Sequence, residues 1–151
     1  MPRPTEDIVV TLAANAHFKV WTPGSDVSDQ TKKSQRVCII WQKDVLEHFK
    51  NRFSVEVPLN KKGPSQKIDL IDVNAGVAYE MKSSPNNVHM EIYRDIFKAL
   101  VFNERNPKRR IKKLVFIAPK EGIQKLGATF PKDVQTISAR MELTLKIREL
   151  P

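Results

Sequence analysis

The sequence predicts an α/β fold in which helices flank a mixed β-sheet. Helix-spaced apolar residues precede and follow a group of three short strand patterns, and one more buried strand pattern comes later. These segments are 35–51, 53–57, 67–73, 77–82, 89–103 and 111–118. Strands joined by short connections pair antiparallel, and an intervening helix lets the chain cross over to a further strand of the same sheet.

Two helices are predicted before the strands. The first covers residues 5–20, with Thr5 as its N-cap and acidic residues in its first turn. Residues 22–34 carry dense turn chemistry and are predicted as a loop. Ser34 is then expected to cap the second helix at 35–51.

The central strands are predicted from alternation and from the turn residues around them. Residues 53–57 alternate apolar with polar side chains until Pro58, and 59–66 is predicted as a loop. The turn at 74–76, Asn-Ala-Gly, then joins the second and third strands.

The C-terminal half is less regular. Residues 83–87 form a break before the third helix, and the fourth strand stops at Pro119. A short helix is predicted at 121–127, closed by Gly127. The tail alternates strictly over 141–147, which favours a strand, although a terminal helix stays open as the alternative.

Length and charge bound the class of protein. At 151 residues the chain suits one domain, taken as 1–151, with an apolar core. Lys and Arg number 26 against 17 Asp and Glu, and the net charge of +9 favours a polyanionic partner. Charge alone does not separate DNA, RNA and anionic membranes. A strongly basic amphipathic helix with a large aromatic face is missing, which argues against a membrane partner.

Cysteine content and hydropathy bear on the compartment. Cys38 is the only cysteine, so the chain has no intrachain disulfide and no thiolate zinc site, and its apolar neighbours indicate a buried structural thiol. No apolar run approaches the ~18 residues of a membrane span. The N-terminus also lacks a signal-peptide pattern. A reducing, cytoplasmic location is therefore expected.

An acid pair on neighbouring strands is the most informative chemical pattern. Asp69 lies inside one apolar run, and Glu80 and Lys82 share a face of the next strand. Across an antiparallel pair the two carboxylates can approach closely enough to hold a hard divalent cation, while the amine orients or deprotonates a water. Such a group suits metal-assisted hydrolysis of a phosphodiester. In the alternative, both acids face solvent and Lys82 pairs with one of them.

Residues 67–84, KIDLIDVNAGVAYEMKSS, and the elements around them resemble the core of the PD-(D/E)XK nuclease superfamily, the restriction-endonuclease-like fold. The resemblance covers about 35–118 and implies the order α-β-β-β-α-β. IDLID followed by YEMKSS is similar to the corresponding strands of Holliday-junction-resolvase-like and restriction-enzyme-like members.

The resemblance implies roles for individual residues. Asp69 and Glu80 are expected to bind Mg²⁺, with Mn²⁺ as a substitute, and the Met81 carbonyl is expected as a further ligand. Lys82 is expected to position the attacking water. Asp72 lies on the opposite strand face and is predicted to cap the turn through its side chain.

Two accessory residues follow from the same resemblance. Family members often carry an additional acid on the first helix, for which Glu47 is the candidate and Asp44 the alternative. Some exonuclease-like branches place Gln-x-x-x-Tyr after the motif, whereas here His89 precedes Tyr93 at that spacing. His89 is expected either to contact a phosphate or to begin the helix. The chain also lacks the family's proline directly before Asp69.

Clustered basic residues are predicted to contact nucleic-acid phosphates, with a solvated surface as the alternative. Most of them crowd the connection before the fourth strand: Arg105, Lys108, Arg109, Arg110, Lys112 and Lys113. Lys61, Lys62 and Lys67 precede the Asp69 strand and are expected to extend the same track.

These expectations together predict a Mg²⁺-dependent DNA endonuclease, of restriction or structure-specific type, acting on double-stranded or branched DNA. The alternatives are a non-catalytic nucleic-acid-binding subunit and a nuclease module that depends on a larger targeting or motor partner. A homodimer is predicted, because two-fold symmetry suits cleavage of both strands. The N-terminal helix and the alternating tail are its candidate contact surfaces, unless they pack on the protein's own sheet.

Overall fold

A mixed sheet between two layers of helices organises the chain. The computed structural model describes residues 3–21, 30–59, 66–82, 88–125 and 130–151. Its helices are α1 (Thr5–Trp21), α2 (Gln30–Phe49), α3 (Val88–Arg105), α4 (Lys120–Lys125) and α5 (Lys132–Arg140), with a 3₁₀ turn at Lys50–Arg52. Its strands are β1 (Phe53–Pro58), β2 (Lys67–Asp72), β3 (Val77–Met81), β4 (Lys113–Ala118) and β5 (Thr144–Glu149).

The strands lie in the sheet in the order in which they occur along the chain. β1, β2 and β3 form an antiparallel meander, and β4 and β5 continue the sheet parallel to β3. The connections within the meander are short, which suits antiparallel pairing, whereas helix α3 makes the long crossover that lets β4 run parallel to β3. The predicted α/β class with a mixed sheet and flanking helices is therefore confirmed.

Each face of the sheet is covered by its own apolar cluster. Helices α1 and α2 pack on one face around Trp41, whose indole Nε1 donates to the Val9 carbonyl at 3.1 Å. Helix α3 covers the other face with Ile92, Ile96 and Phe102. Charged side chains between these clusters are thereby held at low exposure, which shifts their pKa values.

Several predicted boundaries need correction. Helix α2 begins at Gln30, so the expected cap Ser34 lies inside it, and its hydroxyl is buried with no hydrogen-bond partner among the described residues. Helix α5 was not predicted, because Val134, Thr136 and Ile137 are β-branched residues of low helix propensity. The predicted closing residue Gly127 lies outside the described residues, as do the loop residues 22–29.

The tail and the first helix both belong to this fold. The alternating tail is strand β5, paired in parallel with β4 from Thr144 to Glu149, and the terminal-helix alternative is wrong. Helix α1 buries Val9, Val10 and Ala13 against the sheet layer. On these two candidate dimer surfaces Phe18 and Met141 remain 72% and 48% exposed, so the dimer contact stays a prediction.

Among the helices of the described part, none combines the length and the apolar character that crossing a membrane requires.

Candidate metal centre

The site forms where strands β2 and β3 part. Their antiparallel pairing runs from Asp72–Val77 to Leu70–Tyr79 and stops there. Beyond this point the Asp69 side chain replaces the ladder, because its Oδ2 accepts a hydrogen bond from the Met81 amide at 3.1 Å. In an antiparallel strand the N–H and C=O of one residue point to the same neighbour, so the Met81 carbonyl also faces Asp69.

The Asp69 and Glu80 carboxyl groups meet in this gap. The two side chains interact directly, so the structure brings together the two acids that the pattern singled out. Burial raises the pKa of both groups, and the negative charges of Asp69 and Asp95 raise the pKa of Glu80 further, to well above its ordinary value.

Two lysines and a further acid complete the buried cluster. Asp95 of α3 contacts the Lys82 Nζ at 2.5 Å through Oδ2 and the Lys98 Nζ at 2.9 Å through Oδ1. Lys98 Nζ also lies 2.9 Å from Glu80 Oε1 and donates to the Lys67 carbonyl at 2.5 Å. Glu80 Oε1 and both carboxylate oxygens of Asp95 are buried. Their contacts with the two lysines are ion pairs that lack hydrogen-bond alignment.

The charge on Lys82 decides what this residue can do. Burial lowers the pKa of Lys82, but the negative charges of Asp95 and Glu80 outweigh that effect and hold the pKa above its ordinary value. Lys82 is therefore a protonated donor. It is suited to orient a water or a phosphate oxygen, and not to accept a proton.

A third acid approaches Asp69 from β1. Single ligand atoms of Cys38, Glu56 and Asp69 lie within 4.8 Å of one another. Gln42 Nε2 donates to Glu56 Oε1 at 2.9 Å and to the Asp69 carbonyl at 3.0 Å, which fixes the two residues relative to each other. Glu56 also has a left-handed backbone, with φ at +49°, inside a strand. Such strain persists only where the surroundings enforce it, and it concentrates at functional sites.

These groups line one open cleft of about 470 Å³ between the N-terminal half of α2 and the start of α3. Its walls include the acids Glu56, Asp69, Glu80 and Glu91, the bases Lys67, Lys82, Arg94 and Lys98, and Cys38. Cys38 is half-buried, and burial raises the pKa of its thiol, so it stays protonated and unreactive.

Asp72 has the structural role that was predicted. Its Oδ1 accepts the Ala75 amide at 3.3 Å in the turn, and its carboxylate forms a two-point ion pair with Arg52 at 3.1 and 2.7 Å. The choice of Asp69 over Asp72 for the site therefore agrees with the geometry.

Other predicted residues are not at the cleft. Glu47 is exposed on α2, and neither it nor Asp44 lines the cleft, because α2 contributes Ser34, Gln35, Cys38 and Ile39 from its other end. Glu56 of β1, which was not predicted, lines the cleft near Asp69. The His89 side chain, Lys61 and Lys62 lie outside the described residues.

The basic segment is spread along the sheet: Arg105 donates to the Leu59 carbonyl at 2.6 Å, beside the Pro58–Lys67 pair, whereas Lys112 and Lys113 lie at the opposite end. Lys113 pairs with Val77, four residues and about 13 Å along β3 from Met81. Gly76, at φ +67°, fixes this end: its carbonyl accepts the Lys112 amide at 2.7 Å, and an added Cβ would lie 2.9 Å from the Arg110 carbonyl.

Members of this segment have other contacts. Lys113 bonds Glu6 at 2.7 Å, and Arg110 bonds the Met141 carbonyl at 3.3 Å and lies 3.7 Å from Glu142. Arg105 and Arg109 line a separate, largely apolar cleft of about 490 Å³ that contains no acid among its described walls. Lys108 and Lys112 are exposed. Phosphate contact by this segment stays a prediction.

Sequence reasoning missed Asp95, Lys98 and Glu56. Asp95 had a usable signal, because it falls on the buried face of α3 between Ile92, Ile96 and Ala99. An unpaired charge on such a face requires a buried partner. Glu56 had no such signal in the sequence, because its position in an alternating strand is that of an ordinary solvent-facing residue.

Comparison with family models, with curated proteins and with solved structures gives no match to this chain.

Proposed function

We propose that this chain is a metal-dependent nuclease with a restriction-endonuclease-like core that hydrolyses phosphodiester bonds in DNA. The observation that carries the proposal is the contact between the Asp69 and Glu80 carboxyl groups at the parting of two strands, with Lys82 beside them. Two acids from adjacent strands and one amine are a minimal set for metal-assisted hydrolysis.

The charge balance of the cluster favours a cation. In this ion-pair cluster, the carboxyl groups of Asp69, Glu80 and Asp95 face the two ammonium groups of Lys82 and Lys98. Burial raises the pKa of both Asp69 and Glu80, and the neighbouring acids raise that of Glu80 further, so a bound cation would favour their ionised forms. Carboxylate and backbone oxygens are the ligands that Mg²⁺ prefers, and Mn²⁺ accepts the same set. Asp69, Glu80 and the Met81 carbonyl would hold it, with Glu56 at its outer side.

A purely structural ion-pair network is the competing interpretation, since Lys82 and Lys98 both contact Asp95. Stability alone is a weak reason for such a network, because burying these charges costs about as much as their attraction returns. Apolar residues of similar volume would pack between the two strands at lower cost. A cluster of this kind is therefore better explained by binding or chemistry.

The residues divide the work as follows. A bound cation supplies positive charge where negative charge develops on the phosphate and the leaving oxygen. Lys82, protonated and held by Asp95, orients the attacking water. Lys67 and Arg94 at the cleft wall attract the phosphate backbone. Glu91, 3.7 Å from Lys82, adds a second ion-pair partner for that ammonium group.

Cleavage assays test the proposal. Purified protein is incubated with supercoiled, linear, branched and single-stranded DNA, with Mg²⁺, with Mn²⁺ or with chelator. Metal-dependent cleavage should fall to background in Asp69→Ala, Glu80→Ala and Lys82→Ala, each checked for folding by circular dichroism. Glu47→Ala, an exposed acid outside the cleft, serves as the control and should keep its activity.

Three outcomes count against the proposal. Cleavage that survives Asp69→Ala assigns the activity to another site or to a contaminant. DNA binding without cleavage in either metal supports the non-catalytic subunit, and cleavage that appears only after adding a partner protein supports the dependent module.

A further inference from the structure

One thiol and two carboxylates from three different elements meet on the α2 side of the cleft. Cys38 lies on α2, Glu56 on β1 and Asp69 on β2, and one ligand atom of each lies within 4.8 Å of the other two. Cys38 and Gln42 are four residues apart and therefore share a face of α2. Because Gln42 is bonded to the Glu56 side chain and to the Asp69 backbone, this face brings the thiol to both acids.

This donor set differs from the one that Mg²⁺ prefers. Mg²⁺ takes oxygen ligands, whereas one sulfur with two carboxylates suits a borderline-soft cation such as Zn²⁺. Tetrahedral zinc with Cys and carboxylate ligands places its ligand atoms roughly 3.4–3.6 Å apart. The Glu56 side chain is exposed and free to rotate towards this spacing. A single cysteine excludes zinc sites of several thiolates, but not a mixed site in which water is the fourth ligand.

A buried acceptor in the same cleft is a second, independent indication of a cation. Glu80 is 1% exposed and interacts directly with Asp69. Within the described part of the chain its Oε1 has no aligned hydrogen-bond donor, although Lys98 Nζ lies 2.9 Å away. A buried oxygen of this kind is normally satisfied by a donor, a water or an ion. The cleft therefore offers oxygen lone pairs beside the three ligand atoms.

We propose that Cys38, Glu56 and Asp69 form a second metal site, which binds Zn²⁺ in preference to Mg²⁺. When zinc binds, the sulfur forms a bond to the metal and the thiol proton leaves to solvent, because ligation by a divalent cation deprotonates a thiol. Zinc on Asp69 also neutralises a charge that attracts Mg²⁺. Zinc is therefore an inhibitor of Mg²⁺-dependent cleavage, a consequence that rests on the proposed function, whereas zinc binding itself does not.

Cobalt absorption gives the first test and needs no DNA. Co²⁺ replaces Zn²⁺ in sites of this kind, and a cobalt–thiolate bond has a charge-transfer band in the near ultraviolet. Because Cys38 is the only cysteine, such a band identifies its sulfur as the ligand. The full chain is titrated with Co²⁺ in the presence of Mg²⁺ and a phosphine reductant. The band should saturate at one equivalent, and Zn²⁺ should abolish it.

Variants separate a built site from a lone thiol. Cys38→Ser should remove the band. Glu56→Gln and Asp69→Asn should each raise the Co²⁺ dissociation constant by at least roughly tenfold, a loss that even an outer partner of a metal ligand causes. Glu47→Gln makes the same change at an exposed acid of α2 outside the cleft, so its affinity should equal that of the wild type. Circular dichroism checks the folding of each variant.

Inhibition by zinc tests the link to cleavage. The Zn²⁺ concentration that halves Mg²⁺-dependent cleavage should be equal for the wild type and Glu47→Gln. It should be roughly tenfold higher for Cys38→Ser, each protein being compared with its own activity without zinc. A chain that cuts no DNA would refute the proposed function, and the cobalt titration would still decide the zinc site.

Three results would overturn the zinc site. They are the absence of a charge-transfer band, a band whose affinity is unchanged in both acid variants, and a band that Mg²⁺ removes as readily as Zn²⁺. Equal inhibition of the wild type and Cys38→Ser by zinc would overturn the competition for Asp69.

Discussion

At the scale of single residues, the Asp69–Glu80 pair shows how a short sequence pattern becomes a site. Neither acid is unusual in its own strand. Their contact depends on β2 and β3 parting at Leu70–Tyr79, which lets Asp69 bond the Met81 amide and reach Glu80. The two acids are held at the cost of mutual repulsion, which is common in sites that bind cations.

This repulsion leads to a prediction. Asp69→Asn should raise the free energy of unfolding in chelator by roughly 0.5–2 kcal/mol, because one of two apposed buried acids is removed. Mg²⁺ should stabilise the wild-type protein and not the variant, since binding to the native state alone adds stability. Urea denaturation with Mg²⁺ and with chelator measures both effects.

Asp72→Asn is the matched control on the same strand. It should lower the free energy of unfolding by about 1–3 kcal/mol, because residue 72 is buried and the variant loses its two-point ion pair with Arg52. Its response to Mg²⁺ should remain that of the wild type. Equal metal responses in the Asp69 variant and the wild type would contradict the assignment of the ligand.

The residue pattern revealed only part of the site. Asp69, Glu80 and Lys82 were found because a turn of known length places neighbouring strands in register. Glu56 reaches the cleft through a left-handed backbone that alternation does not encode. Asp95 and Lys98 come from a helix whose rotation on the sheet is set by tertiary packing.

At the scale of elements, the strongly patterned segments were predicted and the weakly patterned ones were not. The meander, α3 and β4 follow from periodicity and connection length. Helix α5 does not, because its β-branched residues have low helix propensity, and the true start of α2 does not, because turn-forming residues run directly up to it in the sequence. The direction of β4 also places the basic connection after α3 at the far end of the sheet, a distance that no charge pattern reveals.

This separation predicts which lysine serves a bound strand. Lys67→Glu at the cleft should weaken DNA binding and reduce its salt dependence, because a phosphate contact near the acids is lost. Lys112→Glu, an exposed reversal of equal charge at the far end, should have the smaller effect. Fluorescence anisotropy with labelled duplex at several salt concentrations measures both.

A larger loss from Lys112→Glu would show that the strand crosses the far end of the sheet and would return the basic segment to the role first expected for it.

At the scale of the whole molecule, Glu6 ties the first helix to the last two strands. Its carboxylate accepts Lys113 at 2.7 Å, Lys146 at 2.6 Å and Arg148 at 2.5 Å. Burial raises the pKa of Glu6, but these bonds outweigh burial and lower it to about 2. The contacts join segments more than a hundred residues apart in sequence.

The lowered pKa predicts an acid-sensitive contribution to stability. An acid with a lower pKa in the folded state stabilises above its unfolded value, here 4.5, and loses that contribution as pH falls towards about 2. The partly exposed site limits the contribution to about 1–2 kcal/mol. Glu6→Gln should lower stability at neutral pH and flatten the profile in this window. Parallel profiles for the two proteins in urea denaturation would contradict it.

The order of strands in the sheet bears on how the chain folds during synthesis. Each strand pairs with the one made just before it, so the sheet can grow strand by strand as the polypeptide leaves the ribosome. Glu6 is made early, yet Lys146 and Arg148 emerge only with the last strand. Until synthesis reaches β5, Glu6 therefore has only Lys113 of β4 among its three ion-pair partners, and the first helix is held by its contacts with α2.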